Sequence, residues 1–291
     1  MANVQHLVGH GANRVGAHLE GAVRSRWAER LARIGFFARS AVYATVGVLA
    51  LQAAAGAGGR VESEHGALHA LAAQPFGQLL LVAVALGLIG YSLWRFGQAA
   101  FDLEGKGSGA KALVERAGFG LNAVAHVALS LAAFNIALGG GAGGDPKKEW
   151  TARLLAMPAG PLLVGLVGAY ALAYGVYHIR DGFTGKFMKN LHASAMSARE
   201  QRITRALGRV GLPARGIIFV LTGLFFFHAA AAADAKHAKG LDGALQEIAS
   251  KPFGPWLLGL TALGLLAFAA YSFFAGRYRH FAPGARRGFA H

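Results

Sequence analysis

No cysteine occurs among the 291 residues. That excludes disulfides, iron–sulfur clusters and a thiol nucleophile. Charge is scarce as well. Asp, Glu, Lys and Arg make up 15% of the chain, against about 25% in a soluble protein. Acids are the rarer sign, 14 against 29 Lys and Arg. None falls in the core of a long apolar run, where a proton-driven carrier commonly needs a carboxylate. No phosphate-binding loop, nucleophile elbow or HExxH is present. With the usual enzyme signatures missing, the sequence reads as non-enzymatic, with no metal or cofactor call.

What is there is apolar. The chain is 54% hydrophobic, and its charges cluster between long apolar runs. That places it in the membrane class. The runs lie at about 36–55, 76–98, 119–138, 160–179, 212–233 and 253–275. Each is long enough to span a bilayer as a helix, so the fold class is all-α with six transmembrane helices. Before the first run, Leu19, Val23, Trp27, Leu31 and Ile34 recur at helical spacing. They predict an amphipathic helix on the membrane surface, too basic and too long for a cleaved signal. The stretch 67–73 predicts one or two helical turns on the surface. Phe187, Leu191, Ala195 and Ala198 predict a second surface helix. The stretches before Pro158 and Pro252 read as loops.

The runs pair into repeats. Arg33, Gly35 and Arg39 return as Arg116, Gly118 and Asn122, and again as Arg209, Gly211 and Arg215. Tyr43, His126 and Phe219 match four residues further on. Pro75, Pro158 and Pro252 open the even spans, each with a glycine two residues later. Tyr91, Tyr174 and Phe268 follow those prolines by sixteen. The units are a basic amphipathic segment 1–34, repeat 1 at 35–98, repeat 2 at 114–180, a basic linker 181–206, repeat 3 at 207–275 and a basic tail 276–291. Two spans per unit make the repeats parallel hairpins about an axis along the membrane normal, with expected pseudo-three-fold symmetry. Inverted repeats would need an odd number of spans.

The net charge of +15 follows from topology rather than nucleic-acid binding. Of the Lys and Arg, 22 lie in the terminal segments and even loops and 7 in the odd loops. Both termini are therefore expected to be cytoplasmic.

Several local sequences resemble one bacterial membrane-protein family, the domain of unknown function 1206 (DUF1206). They are GRVGLPARGIIF at 208–219, GLDGAL at 240–245, KPFGPWLL at 251–258, GALHALAAQPFG at 66–77 and GRYRH at 276–280. The resemblance covers about 31–280. It implies three tandem two-helix repeats in the inner (plasma) membrane and carries no established activity. Asn122 departs from the arginine usual at its position.

The candidate site is Arg39, Asn122 and Arg215. Each is expected on the opening turn of an odd span. Arginine forks suit phosphate or carboxylate, so an anion or lipid-headgroup site is one reading. Snorkelling to lipid phosphates is the other. His126, His178 and His228 are expected to hydrogen-bond between helices rather than hold haem or metal. His65 and His69, with Glu62 or Glu64, lack a fixed third ligand. The leading function is an envelope component that binds anionic lipid or a protein partner through its basic face. The alternative is a small-solute or anion transporter or channel along the repeat axis. A dry bundle favours the first, a continuous water-lined cavity the second.

Overall fold

The computed structural model describes residues 26–57, 61–102, 107–140 and 146–280. Among them the chain forms helices α1 (Arg26–Ala54), α2 (Glu64–Ala72), α3 (Gly77–Phe101), α4 (Ala110–Ala137) and α5 (Pro146–Leu155). Then come α6 (Gly160–Thr184), α7 (Ala198–Ala232), α8 (Leu241–Ala249) and α9 (Gly254–Tyr278). Six of these, α1, α3, α4, α6, α7 and α9, are long and apolar enough to cross a membrane. The 25-residue members run about 38 Å, beyond a hydrocarbon core of about 30 Å. Their outward faces are apolar. Leu79, Leu86 and Leu93 are all exposed on α3, at two-turn spacing, a stripe that lipid covers and water does not.

Several helices begin earlier than their apolar runs suggest. Arg26 is already in α1, so from there the expected surface helix is continuous with the first span. Residues 1–25, where Leu19 and Val23 fall, lie outside the described residues. Helix α7 starts fourteen residues before Leu212. Ser197 and Glu200 form a reciprocal capping box there, which satisfies two backbone donors at once. The expected surface helix at 187–198 does not form. Gly185 ends α6 at φ +68°, and two short 3-10 turns follow, Lys186–Asn190 and Ala193–Ala195. Phe187 and Leu191 are buried, and Phe187 sits edge-on to Tyr271 at 5.2 Å. Burying these anchors pulls the segment inward. Its backbone then pairs with the end of α9, through His192 N–H to Tyr278 C=O at 2.7 Å.

The short helices α2, α5 and α8 share one face of the bundle, each just before an even span. Only α2 has a counterpart in the sequence reading, and its Ala67 and Leu68 are buried rather than lying on the surface. A Pro-x-Gly turn joins each short helix to its span. The middle residue is left-handed in all three: Phe76 (φ 61°, ψ 24°), Ala159 (60°, 23°) and Phe253 (60°, 25°). The glycine follows because a Cβ there would lie 2.1, 2.5 or 1.8 Å from a carbonyl oxygen of the short helix. Lys147 on α5 ion-pairs with Glu64 on α2 (3.7 Å) and Asp242 on α8 (3.5 Å), which ties the three together.

The spans pack in the cyclic order α3 on α1, α4 on α3, α7 on α6, α9 on α7 and α9 on α1. Helices α6 and α7 pack closely, with Gly175 and Gly216 facing each other's carbonyl oxygens. Small residues permit such contact in lipid. One neighbour pair is missing. Helices α4 and α6, the two spans of repeat 2, scarcely touch. The hairpins are therefore not three equal units, and the packing does not establish three-fold symmetry.

Candidate functional site

Arg39 and Arg215 do not lie on opening turns. Arg39 is thirteen residues past Arg26, about 20 Å along α1. Arg215 is seventeen past Ala198, about 25 Å along α7. Their residues are 6% and 2% exposed, and Asn122 is 8% exposed. Snorkelling needs the charged tip in water or headgroups, so burial removes that reading.

The positions that match between repeats converge here. Arg39 Nη1 donates to the Tyr91 hydroxyl (2.9 Å) and Nη2 to Ser272 Oγ (3.3 Å). Arg215 Nε donates to the Tyr43 hydroxyl (3.2 Å) and Nη1 to that of Tyr174 (3.4 Å). Arg215 Nη1 also lies 2.9 Å from His178 Nε2. A guanidinium only donates, so Nε2 accepts and the imidazole proton sits on Nδ1. The Phe268 ring lies 5.2 Å from Arg39 Cζ and 4.8 Å from Arg215 Cζ. Both guanidiniums thus share one ring and stand no more than 10 Å apart.

Arg95, on α3, is a third buried cation that sequence reasoning missed. It lies near the end of its apolar run, where a cation reads as one of the basic residues that set orientation. Its Nε donates to the Tyr91 hydroxyl that Arg39 also uses (2.8 Å). Its Cζ lies 5.2 Å from the Phe119 ring, and Phe119 is the repeat match of Phe36, which sits 4.6 Å from Arg39 Cζ. Arg95 therefore brings a guanidinium to the place where Asn122 breaks the pattern. Its position, twenty residues after Pro75, matches His178 after Pro158 and Ser272 after Pro252. Aligning those three would have pointed to it.

Magnitudes show what this arrangement needs. Two like charges 10 Å apart repel by about 1.7 kcal/mol at an effective dielectric of about 20. Each ring contact returns roughly 0.5–2 kcal/mol. Removing each ion from water costs several kcal/mol more. Among the described residues no carboxylate lies within ion-pair distance of Arg39 or Arg215. Arg39 Nε and His178 Nδ1 are buried donors without an acceptor, and the Asn122 amide oxygen is buried without a donor.

Two cavities reach this centre. One of 410 Å³ runs from the face of the 186–190 turn and includes Lys186, Lys189 and Arg279. The other, 490 Å³, runs from the short-helix face and includes Glu64, Lys147 and Thr151. Arg39, Asn122 and Tyr170 line both. The wider walls are mostly apolar, so this is neither a dry bundle nor a continuous water-lined pore. Asp181 lines the first cavity, an acid on α6 that the shorter sequence span left out.

Of the other candidates, His126 and His65 line the second cavity, while His69 and His228 line neither. His126 hydrogen-bonds its own helix, Nδ1 to Asn122 C=O at 2.8 Å. His228 stacks on His237 at 3.9 Å. His65 and His69 sit 5.2 Å apart on α2. Among the described residues no three His, Asp or Glu are placed to hold a metal.

The sequence profile of the family described as Domain of Unknown Function (DUF1206) matches this chain three times, at 34–102, 117–185 and 210–279. The chain belongs to the DUF1206 family. Arg39, Asn122 and Arg215 each stand five residues after the start of a DUF1206 match, so the centre is built from one repeat position. The uncharacterized protein YxxB of Bacillus subtilis (strain 168) is 38% identical over 254 residues, 87% of this chain and 92% of its own length. No solved structure matches the chain.

Proposed function

We propose that this protein is a non-enzymatic component of the inner membrane that binds an anion between its spans. The deciding observation is a pair of buried guanidiniums, Arg39 and Arg215, with no carboxylate among the described residues to balance them. Phosphate or carboxylate supplies the missing charge and the acceptors for the two orphaned donors. The expected orientation puts both termini in the cytoplasm, so the 410 Å³ cavity with its lysines would open inward. The test is ligand-dependent melting of the purified protein. Phosphate-bearing compounds should raise the melting temperature of wild type, because a ligand held only by the native state stabilises it. Arg39→Gln and Arg215→Gln should each lose that rise. Equal rises in wild type and both variants would remove the site.

One observation favours transport as a second reading. The cavities approach from opposite faces and share Arg39, Asn122 and Tyr170. Anion efflux from proteoliposomes, abolished by Arg39→Gln, would select it.

A further inference from the structure

The three hairpins come from one repeat, yet only two are closed. A Cβ on Gly35 would lie 2.4 Å from Tyr91 Cβ, and one on Gly211 would lie 2.4 Å from Phe268 N. In repeats 1 and 3 the odd span thus lies directly on the even span. The matching partner of Gly118 is Tyr174, but the nearest atom to a Cβ there is Tyr170 Cε2 at 3.1 Å. A side chain, one helical turn away, fills the place that backbone occupies elsewhere. The Tyr170 hydroxyl donates to Gly118 C=O at 2.9 Å and bridges α6 to α4. Tyr174 turns away instead, to Arg215. Repeat 2 is therefore a hairpin held open around the arginine centre.

The seam opens sideways. Val114, Leu121 and Val124 on α4 and Tyr177 on α6 line the cavities. The same four are 72%, 47%, 56% and 55% exposed. Side chains that are apolar, exposed and part of a cavity wall on mid-span helices mark an opening toward lipid. A route for a hydrated anion would be lined by polar groups, as the cavity mouths are.

We infer that the α4–α6 seam is a lateral portal occupied by an anionic lipid. Its phosphate or carboxylate head lies at Arg39, Arg215 and Asn122, and its acyl chain leaves between the two helices. Charge complementarity selects this occupant over a neutral lipid or a protein helix, because the seam's inner end carries Arg39 and Arg215, both buried and, among the described residues, with no carboxylate within ion-pair distance. The inference rests on the anion-binding reading above and adds the class of ligand and its route.

Native mass spectrometry of the detergent-solubilised protein separates the two claims. The probes are dodecyl phosphate and inorganic phosphate. Wild type should hold dodecyl phosphate more tightly than inorganic phosphate. Ala125→Trp on α4, or Ala173→Trp on α6, should weaken dodecyl phosphate by about tenfold by filling the seam. Neither should change inorganic phosphate binding. If both probes bind equally and neither tryptophan matters, the portal is wrong and the anion centre stands. If neither probe binds wild type, both claims fall. A second measurement needs no variant: a phosphate lipid with a photoreactive diazirine in its acyl chain, crosslinked in vesicles. Labelling should concentrate on α4 and α6 near Leu121, Val124 and Tyr177. Labelling spread evenly over all six spans overturns the portal.

Discussion

A guanidinium is useful here because it stays charged and presents a planar fork. Lysine keeps the charge and loses the fork. Arg39→Lys with Arg215→Lys should therefore retain the fold and weaken a bound phosphate by about tenfold or more, one lost bidentate contact being worth roughly 1.5–3 kcal/mol. Titration of wild type and double variant with one phosphate ligand checks this. Asn122 differs, since Arg95 already supplies charge beside it. Asn122→Arg should place a further cation in the cluster and destabilise the protein, read as a lower melting temperature. Most of this centre was legible in the repeats. Tyr43, His126 and Phe219, and Tyr91, Tyr174 and Phe268, are matched sets in the repeats, and all six ring the arginines or line their cavities. Depth was not legible. Apolar runs mark where lipid contact begins, while the helices extend past them through the capping box at Ser197 and the polar first turns of α4. Nor was burial: Arg39 and Arg215 are enclosed by neighbouring helices, and no apolar run records that packing.

At the scale of elements, one motif carries each junction between short helix and span. Its middle residue is left-handed, which costs a non-glycine side chain about 1–2 kcal/mol. Phe76 and Phe253 are 82% and 80% exposed, so their rings are free to anchor in the bilayer interface. Ala159 has no ring to offer. Ala159→Gly should thus stabilise the protein by about 1 kcal/mol, whereas Gly254→Ala should destabilise it strongly, its Cβ falling 1.8 Å from Ala249 C=O. Denaturation of the two variants side by side measures the contrast. The same logic separates the hairpins. Gly211→Ala meets backbone at 2.4 Å and should cost about 1–3 kcal/mol, while Gly118→Ala meets a ring edge at 3.1 Å and should cost less. Equal losses would mean that repeat 2 is as closed as repeat 3. The turn motif was visible as Pro-x-Gly. Its partners α5 and α8 were not, because glycine-rich and charged stretches before Pro158 and Pro252 lack a long apolar face.

Across the whole molecule, six apolar spans, three repeat copies and a basic face fit a multi-pass membrane protein of the DUF1206 family. The open second hairpin has no counterpart in the sequence, since Gly118 and Tyr174 both match their repeat partners and only packing shows that they do not meet. The basic residues predict a sidedness that is directly testable in a chain without cysteine. Ser63→Cys should react with an impermeant thiol reagent from the outside, and Ser108→Cys and Ser197→Cys only after lysis. The reverse labelling would mean that the 410 Å³ cavity opens outward. The central claim is that an anion occupies the arginine centre, and the most direct measurement is the mass of what co-purifies with the protein. Native mass spectrometry should find a phosphate- or carboxylate-bearing adduct on wild type that is absent from Arg39→Lys with Arg215→Lys. The same adduct on both proteins, or none on wild type, would contradict the account.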